Sequence, residues 1–173
     1  ENGAEGRGLD GEKRQWVVRA SKAGHVLVTD RVPEGRLDKV VQNLMNRKSL
    51  SGWGIRTIPE GEARYNPMSY HNGSVWPHDN GLIAMGFVKH GRRKEAALIF
   101  CGLSEAALHT DLRRLPELFC GFTRSQAEGP VRYPVACSPQ AWAAATLPAL
   151  VQTVTGLRYA PDNVAVEFVR PVL

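Results

Sequence analysis

The chain has 173 residues, of which 43% are hydrophobic, 8% aromatic and 23% charged, and its formal net charge is +5. This length fits one domain, and the composition excludes a disordered, collagen-like or disulfide-dense chain. The basic residues are scattered along the sequence, whereas a phosphate-binding surface needs them clustered on one face. We therefore expect no nucleic-acid partner.

No apolar stretch approaches the ~18–20 residues needed to cross a bilayer, and no basic start followed by an apolar run indicates a signal peptide. We expect no membrane partner and a cytoplasmic location. Cys101, Cys120 and Cys137 fit neither a Cys-x-x-Cys motif nor a metal-ligand spacing, which favours buried thiols in a reducing compartment. No metal or other cofactor is expected.

The first thirty residues are rich in glycine and charge and are predicted to be connective. Apolar residues then recur at helical spacing from Val32 to Met45, which predicts one helix. The apolar run 82–88 predicts a buried helix that ends at His90 and Gly91. The Ala- and Leu-rich run 94–109 predicts its antiparallel partner in an αα-hairpin.

A last helix is predicted over residues 140–154. Ser138 is expected to be its N-cap, Pro139 its first residue and Gly156 its stop. The partly alternating run 164–169 predicts one β-strand.

Two long segments, 51–80 and 115–137, lack helical or alternating periodicity and separate these helices. Long loops on a helical scaffold commonly carry function, so we expect the two to converge at one end of the helix layer. Residues 65–80 contain two Tyr, one Trp, two His, three Asn and one Asp. Because aromatic faces stack on sugar rings while polar side chains bind hydroxyls, this mixture favours a polyhydroxylated ligand.

Other interpretations of the first loop remain open. The polar residues could form a hydrogen-bonded loop that ties the helices together. Asp79 stands just before an apolar helix, where Asp is a preferred N-cap. His71 and His78 could bind a metal, but they are seven residues apart and lack a third ligand.

Glu117 in the second loop is surrounded by apolar and aromatic neighbours in the sequence. Such a carboxyl group either binds its proton more tightly or requires a partner, which is how enzymes prepare a general acid or base. A Glu that follows a proline could instead cap a short turn.

Four sequence blocks occur in the same order as in a known family. They are SGWGIRT (51–57), YNPMSYHNGSVWPHDN (65–80), LPELFCGF (115–122) and YPVACSPQAW (133–142). Together they resemble the carboxy-terminal part of bacterial amylo-α-1,6-glucosidases, which are glycogen-debranching-type glycoside hydrolases.

The resemblance implies an all-α fold, a partial α/α toroid made of the later hairpins of a six-hairpin barrel, with a short C-terminal β segment. Residues 1–157 would be the C-terminal portion of the catalytic domain, and residues 158–173 would be the β tail. The N-terminal half of the same chain would be the structural partner of this segment.

The resemblance also implies inverting hydrolysis of terminal or branch-point α-glucosidic bonds in glycogen-type oligosaccharides. An α-glucan or oligosaccharide would be the substrate and Glu117 the general base that activates water. The general acid of that family is an Asp earlier in the barrel, with no counterpart here, so the isolated chain is expected to be inactive. Inversion requires the two carboxyl groups roughly 6.5–9.5 Å apart.

By the same resemblance, nine residues would bind the substrate or line its pocket: Trp53, Arg56, Tyr70, His71, Trp76, His78, Asp79, Gln140 and Trp142. The resemblance leaves the identity of the sugar open, since related toroidal enzymes cleave mannosyl, trehalose-like and other glycosides. A non-catalytic carbohydrate-binding helical domain is the alternative function. A purely structural helical domain would leave the dense aromatic and polar loop unexplained.

Overall fold

A computed structural model describes residues 9–29, 32–33, 35–125, 128–160, 162 and 164–171. In these ranges the α-helices are α1 (Leu37–Met45), α2 (Pro77–Lys89), α3 (Arg93–Leu108) and α4 (Ala141–Thr155). Strands β1 (Leu157–Tyr159) and β2 (Val166–Phe168) pair antiparallel, and 3-10 segments lie at Ser21–Val28 and Asp111–Arg113. The described chain is mostly helical with a short C-terminal sheet, which confirms the predicted all-α class with a β segment.

Helix α2 lies at the centre of the fold and packs against α3, α4 and the 3-10 segment Ser21–Val28. Ile83, Ala84 and Phe87 are fully buried on it. The turn to α3 contains Gly91 at φ +74°, so the predicted αα-hairpin is confirmed. Helix α2 begins five residues earlier than its apolar run, because Pro77 fits the first turn of a helix.

The 3-10 segment Ser21–Val28 is part of the core, so the prediction that this region is only connective is wrong there. Ser21, Gly24 and Leu27 are buried. A Cβ atom on Gly24 would lie 2.7 Å from Cγ1 of Ile83, and one on Gly86 would lie 2.6 Å from Cβ of Leu27. Two glycines therefore allow this segment to approach α2 closely.

The C-terminal elements differ in detail from the prediction. The N-cap of α4 is Gln140 rather than Ser138, while Gly156 ends the helix in the left-handed conformation as predicted. The predicted strand is shorter, Val166–Phe168, and it pairs with Leu157–Tyr159, which the sequence analysis missed. Both strands are largely exposed, so neither shows the alternation that burial of one face imposes.

Two of the three cysteines are exposed. Cys120 is buried as predicted, whereas Cys101 and Cys137 are accessible. The prediction of buried thiols is wrong at these two positions. Among the described residues, no helix combines the length and the apolar character that a membrane span requires.

A ladder of isolated antiparallel bridges joins the loops. Arg56 pairs with Val75, Val75 with Phe119, and Phe119 with Arg132. The central pair exchanges two backbone hydrogen bonds, from Val75 N to Phe119 O at 2.9 Å and from Phe119 N to Val75 O at 3.1 Å. This ladder fixes the two long loops side by side.

Replacing Gly86 with Ala tests the close packing of the 3-10 segment on α2. The new methyl group would meet Cβ and the backbone of Leu27, so we expect a loss of about 1–3 kcal/mol in the free energy of unfolding. Helix propensity alone would favour Ala by about 1 kcal/mol. Urea unfolding measures the change, with Gly11→Ala as a control because a Cβ there meets nothing within 4 Å. Equal stability of both variants would contradict the packing described.

Candidate active site

Glu117 accepts hydrogen bonds on both carboxylate oxygens. The hydroxyl of Tyr70 donates to Oε1 at 2.6 Å, and the backbone N–H of Cys137 donates to Oε2 at 3.1 Å. The Tyr70 hydrogen bond is the main reason that the pKa of Glu117 lies below its ordinary value, and Cys137 and Gln140 act in the same direction. From the sequence, Glu117 was expected either to bind its proton more tightly or to have a partner. The structure provides two partners, Tyr70 and Cys137.

The pKa of Tyr70 is shifted in the opposite direction from that of Glu117. Its hydrogen bond to the Glu117 carboxylate, with smaller contributions from burial and charge, raises the pKa of Tyr70 to about 12. At neutral pH the phenol therefore keeps its proton and donates a hydrogen bond to Glu117, which is ionised. An ionised carboxylate is the form that a general base needs.

The side chains around Tyr70 form a continuous aromatic cluster. The Tyr70 ring centroid lies 4.6 Å from that of His71 and 4.8 Å from that of Trp76, both edge to face. The His71 and Trp76 rings are nearly parallel at 6.1 Å. His78 contacts Trp76 at 5.6 Å and Trp142 at 4.8 Å. Residues from the first loop, α2 and α4 thus meet in one cluster.

This cluster borders an open concavity of about 260 Å³. Its lining residues are Ser21, Lys22, His25, Thr57, His71, Trp76, His78, Asp79 and Trp142. Glu117 is not among them, but it is joined to this wall through Tyr70, whose ring contacts His71 and Trp76. The two loops are therefore in contact, but the second loop contributes no residue to the lining of this concavity.

Asp79 lies in the first turn of α2, where Trp76 is the N-cap, so the N-cap interpretation of Asp79 is wrong. Asp79 is buried, and its Oδ1 is bonded to Nε2 of His25. That hydrogen bond is the main reason that the pKa of His25 is raised. Burial instead lowers the pKa of the neighbouring His78.

Three buried polar atoms in the described structure have no hydrogen-bond partner. They are Nδ1 of His78, Oδ2 of Asp79 and Oε1 of Gln140. Native proteins rarely leave such atoms unpaired unless the site has a further role. All three belong to residues that the sequence analysis assigned to substrate binding.

Trp53 and Arg56 lie outside the cluster. Arg56 is fully buried, and its Nε donates to the carbonyl of Gly121 at 2.6 Å. Trp53 is also buried, with the guanidinium of Arg124 4.6 Å above its ring and His109 at its edge. In the described structure both side chains hold loops together and are not part of the concavity.

Sequence reasoning missed Lys22 and His25, which line the concavity from the 3-10 segment. The segment was interpreted as connective because the first thirty residues are rich in glycine and charge. The only available signal was a His and a Lys beside a short apolar stretch, Val26–Val28. Among the described residues, no group of three or more His, Cys, Asp or Glu side chains is arranged to hold a metal ion.

Comparison with protein families assigns this chain to a class of protein. Residues 7–127, more than half of the chain, match the family described as mannosylglycerate hydrolase MGH1-like glycoside hydrolase domain. The chain belongs to this glycoside hydrolase family. The match includes Tyr70, Asp79 and Glu117 and supports the predicted glycosidase class, but it does not specify an amylo-α-1,6-glucosidase. A comparison with curated protein sequences gave no match.

Replacing Tyr70 with Phe removes the main hydrogen bond to Glu117, so we expect the pKa of Glu117 to rise toward its ordinary value. A carboxylate with a lowered pKa stabilises the fold above its ordinary pKa, and this stabilisation is lost as pH falls through the folded-state value. Tyr70→Phe should therefore lose less stability on acidification than wild type. Carboxyl-carbon NMR against pH measures the first effect and urea unfolding at several pH values the second.

Tyr133→Phe is the matched control, because the Tyr133 ring lies 5.7 Å from that of Tyr70 without a hydrogen bond to Glu117. The control should leave the titration of Glu117 in place. A rise in the pKa of Glu117 in both variants would contradict the assigned role of the Tyr70 hydroxyl.

Proposed function

We propose that this chain provides the water-activating base and part of the sugar-binding wall of an inverting glycoside hydrolase site. The substrate class is a glycoside with a terminal or branch-point α-glucosidic bond in a glycogen-type oligosaccharide. The observation that carries the proposal is the ionised carboxylate of Glu117, held by Tyr70 beside an aromatic and imidazole cluster.

The proposed mechanism assigns a separate task to each side of the site. Glu117 accepts a proton from the attacking water, while the phenol of Tyr70 fixes its orientation. Trp76 and Trp142 offer ring faces to the sugar, and His78 and Asp79 offer hydrogen-bonding groups to its hydroxyls. Gln140 supports the carboxylate of Glu117 from the start of α4.

The general acid is proposed to come from a preceding part of the same polypeptide, as the sequence resemblance implies. The described carboxylates near the concavity support this division. Asp79 is bonded to His25 within the wall and is assigned to binding rather than to proton donation. The 173-residue chain alone would then bind glycosides without hydrolysing them.

Mannosylglycerate is a second candidate substrate, favoured by the description of the matching family. The two candidates are distinguished by assaying isomaltose, maltose and mannosylglycerate with the longest available form of the protein. Glucose release from the first two with inversion at the anomeric carbon supports the α-glucosidic proposal. Cleavage of mannosylglycerate alone replaces it with the second candidate.

Glu117→Gln tests the base directly. The amide keeps the shape of the side chain but cannot take the proton from water, so kcat should fall by roughly 10²–10⁴-fold. KM should change little, because the base acts on water and contributes mainly in the transition state. Steady-state kinetics on the hydrolysed substrate gives both values.

Asp79→Asn is the comparison for that experiment. If Asp79 binds sugar hydroxyls, the variant should weaken substrate binding together with turnover. If Asp79 has only a structural role, Asp79→Asn should lower the stability of the protein and leave KM unchanged. If Asp79→Asn abolishes turnover with binding intact while Glu117→Gln stays active, the roles are reversed and Glu117 is not the base.

A further inference from the structure

The pair formed by His25 and Asp79 lies on the wall of the concavity and takes no part in the proton transfer assigned to Glu117. Nε2 of His25 is bonded to Oδ1 of Asp79, and both residues line the concavity. Only 9% of the Asp79 side chain is exposed, against 37% for His25. The carboxylate is thus nearly buried and is held through one oxygen by a more exposed histidine.

We propose that His25 is a positioning residue that holds the Asp79 carboxylate as the hydroxyl-binding group of the concavity, so that glycoside affinity depends on the protonation of His25. This inference rests on the proposed function, since it requires that the concavity bind a sugar. It adds a residue outside the four sequence blocks and a form of regulation by pH.

Both members of the pair are fixed by the packing of their elements. His25 lies between Gly24 and Leu27, the two residues that pack closely against α2. The C-terminal end of the segment is held by His90, whose Nε2 lies 3.0 Å from the carbonyl oxygen of Leu27. Asp79 is fixed in the first turn of α2. Their contact therefore follows from the packing of two core elements rather than from a flexible surface encounter.

The free oxygen of Asp79 indicates a role beyond stability. An ion pair with one partner more than a third exposed contributes little to folding. Oδ2 of Asp79 is buried and has no hydrogen-bond donor in the described structure, which is costly for a charged group. A hydroxyl group of a bound sugar supplies the missing donor once the surrounding side chains adjust. His25 thus occupies one carboxylate oxygen and leaves the other without a hydrogen-bond partner in the described structure.

The groups that face His25 set the direction of the pH effect. Asp79 on α2 raises the pKa of His25, and burial and Lys22 on the same segment partly oppose it. His78 on α2 is the other titratable neighbour, and its own pKa is lowered by burial and to a smaller extent by His25. On the side of α1, the adjacent Gly24 faces the apolar Leu44. The net result is a raised pKa for His25.

The sign of the effect follows from that raised value. Below its folded-state pKa, His25 is a cation and makes a charge-assisted hydrogen bond to Asp79. Above it, a neutral imidazole can only donate a weaker bond. Glycoside affinity should therefore be highest at low pH and fall by about 3–10-fold as pH rises through the pKa of His25.

The test uses the 173-residue chain with methyl α-D-glucopyranoside and methyl α-D-mannopyranoside as probes. Their affinities are measured by NMR titration from about pH 5 to about pH 9, the range in which histidine changes charge. His25→Gln retains a donor near the position of Nε2 but does not titrate. Its affinity should lack the change that wild type shows as pH passes the pKa of His25 and should stay close to the high-pH value of wild type. His25→Ala should bind about tenfold more weakly than wild type at low pH.

His90→Gln is the matched control, since it alters a histidine that contacts the same segment away from the concavity. It should keep the pH dependence of wild type. The ring resonances of His25, followed in wild type and Asp79→Asn, report the pair without any sugar, and the pKa of His25 should be lower in the variant.

The outcomes separate the two proposals. If wild type binds a probe but His25→Gln keeps the wild-type pH dependence, or His25→Ala binds as tightly as wild type, the positioning role is wrong and the proposed function stands. If wild type binds neither probe at any pH, the proposed function fails and the inference fails with it. An unchanged pKa of His25 in Asp79→Asn also overturns the inference.

Discussion

The buried guanidinium of Arg56 joins the loop segments from which the candidate active site is built. Its Nε donates to Gly121 O at 2.6 Å, one terminal nitrogen donates to Lys48 O at 3.1 Å, and the other donates to Thr123 Oγ1 at 2.9 Å and pairs with Glu60 at 2.8 Å. A buried cation is tolerated only when it is fully paired in this way. Because these partners belong to three stretches of chain, Arg56 makes their relative positions interdependent.

The backbone ladder converts this anchoring into the geometry of the site. The backbones of Val75 and Phe119 are hydrogen-bonded to each other. Trp76 follows Val75 by one residue and Glu117 precedes Phe119 by two, so the ladder positions both side chains. The close approach of the two loops depends on Gly121, where a Cβ atom would lie 1.7 Å from the carbonyl oxygen of Gly73. Loops without regular secondary structure thereby acquire the rigidity that a catalytic carboxylate needs.

The sequence predicted the parts of this fold that show a period or a concentrated chemistry. The α2–α3 hairpin follows from apolar runs and a glycine turn, whereas the assignment of Tyr70 and Glu117 to one site came from the family resemblance of the two long loops. The sequence could not reveal that Arg56 is buried, because an Arg in a loop motif is normally expected to contact solvent or a ligand. Nor could it reveal His25, since a short 3-10 segment buries residues without a regular period.

The two carboxylates of the site have different hydrogen-bond partners, which suits them to different tasks. Glu117 accepts hydrogen bonds from two neutral donors, a phenol and a backbone N–H, so its negative charge is not neutralised by a cation. Under the proposed function, that charge would stabilise a positively charged oxocarbenium-like transition state, and the lowered pKa of Glu117 favours the ionised form at the expense of some basicity. Asp79 is paired with an imidazole whose pKa it raises. Under the proposed function, the pair with a protonated His25 would carry no net charge, which is appropriate for uncharged hydroxyls and would leave the field at the reacting carbon to Glu117.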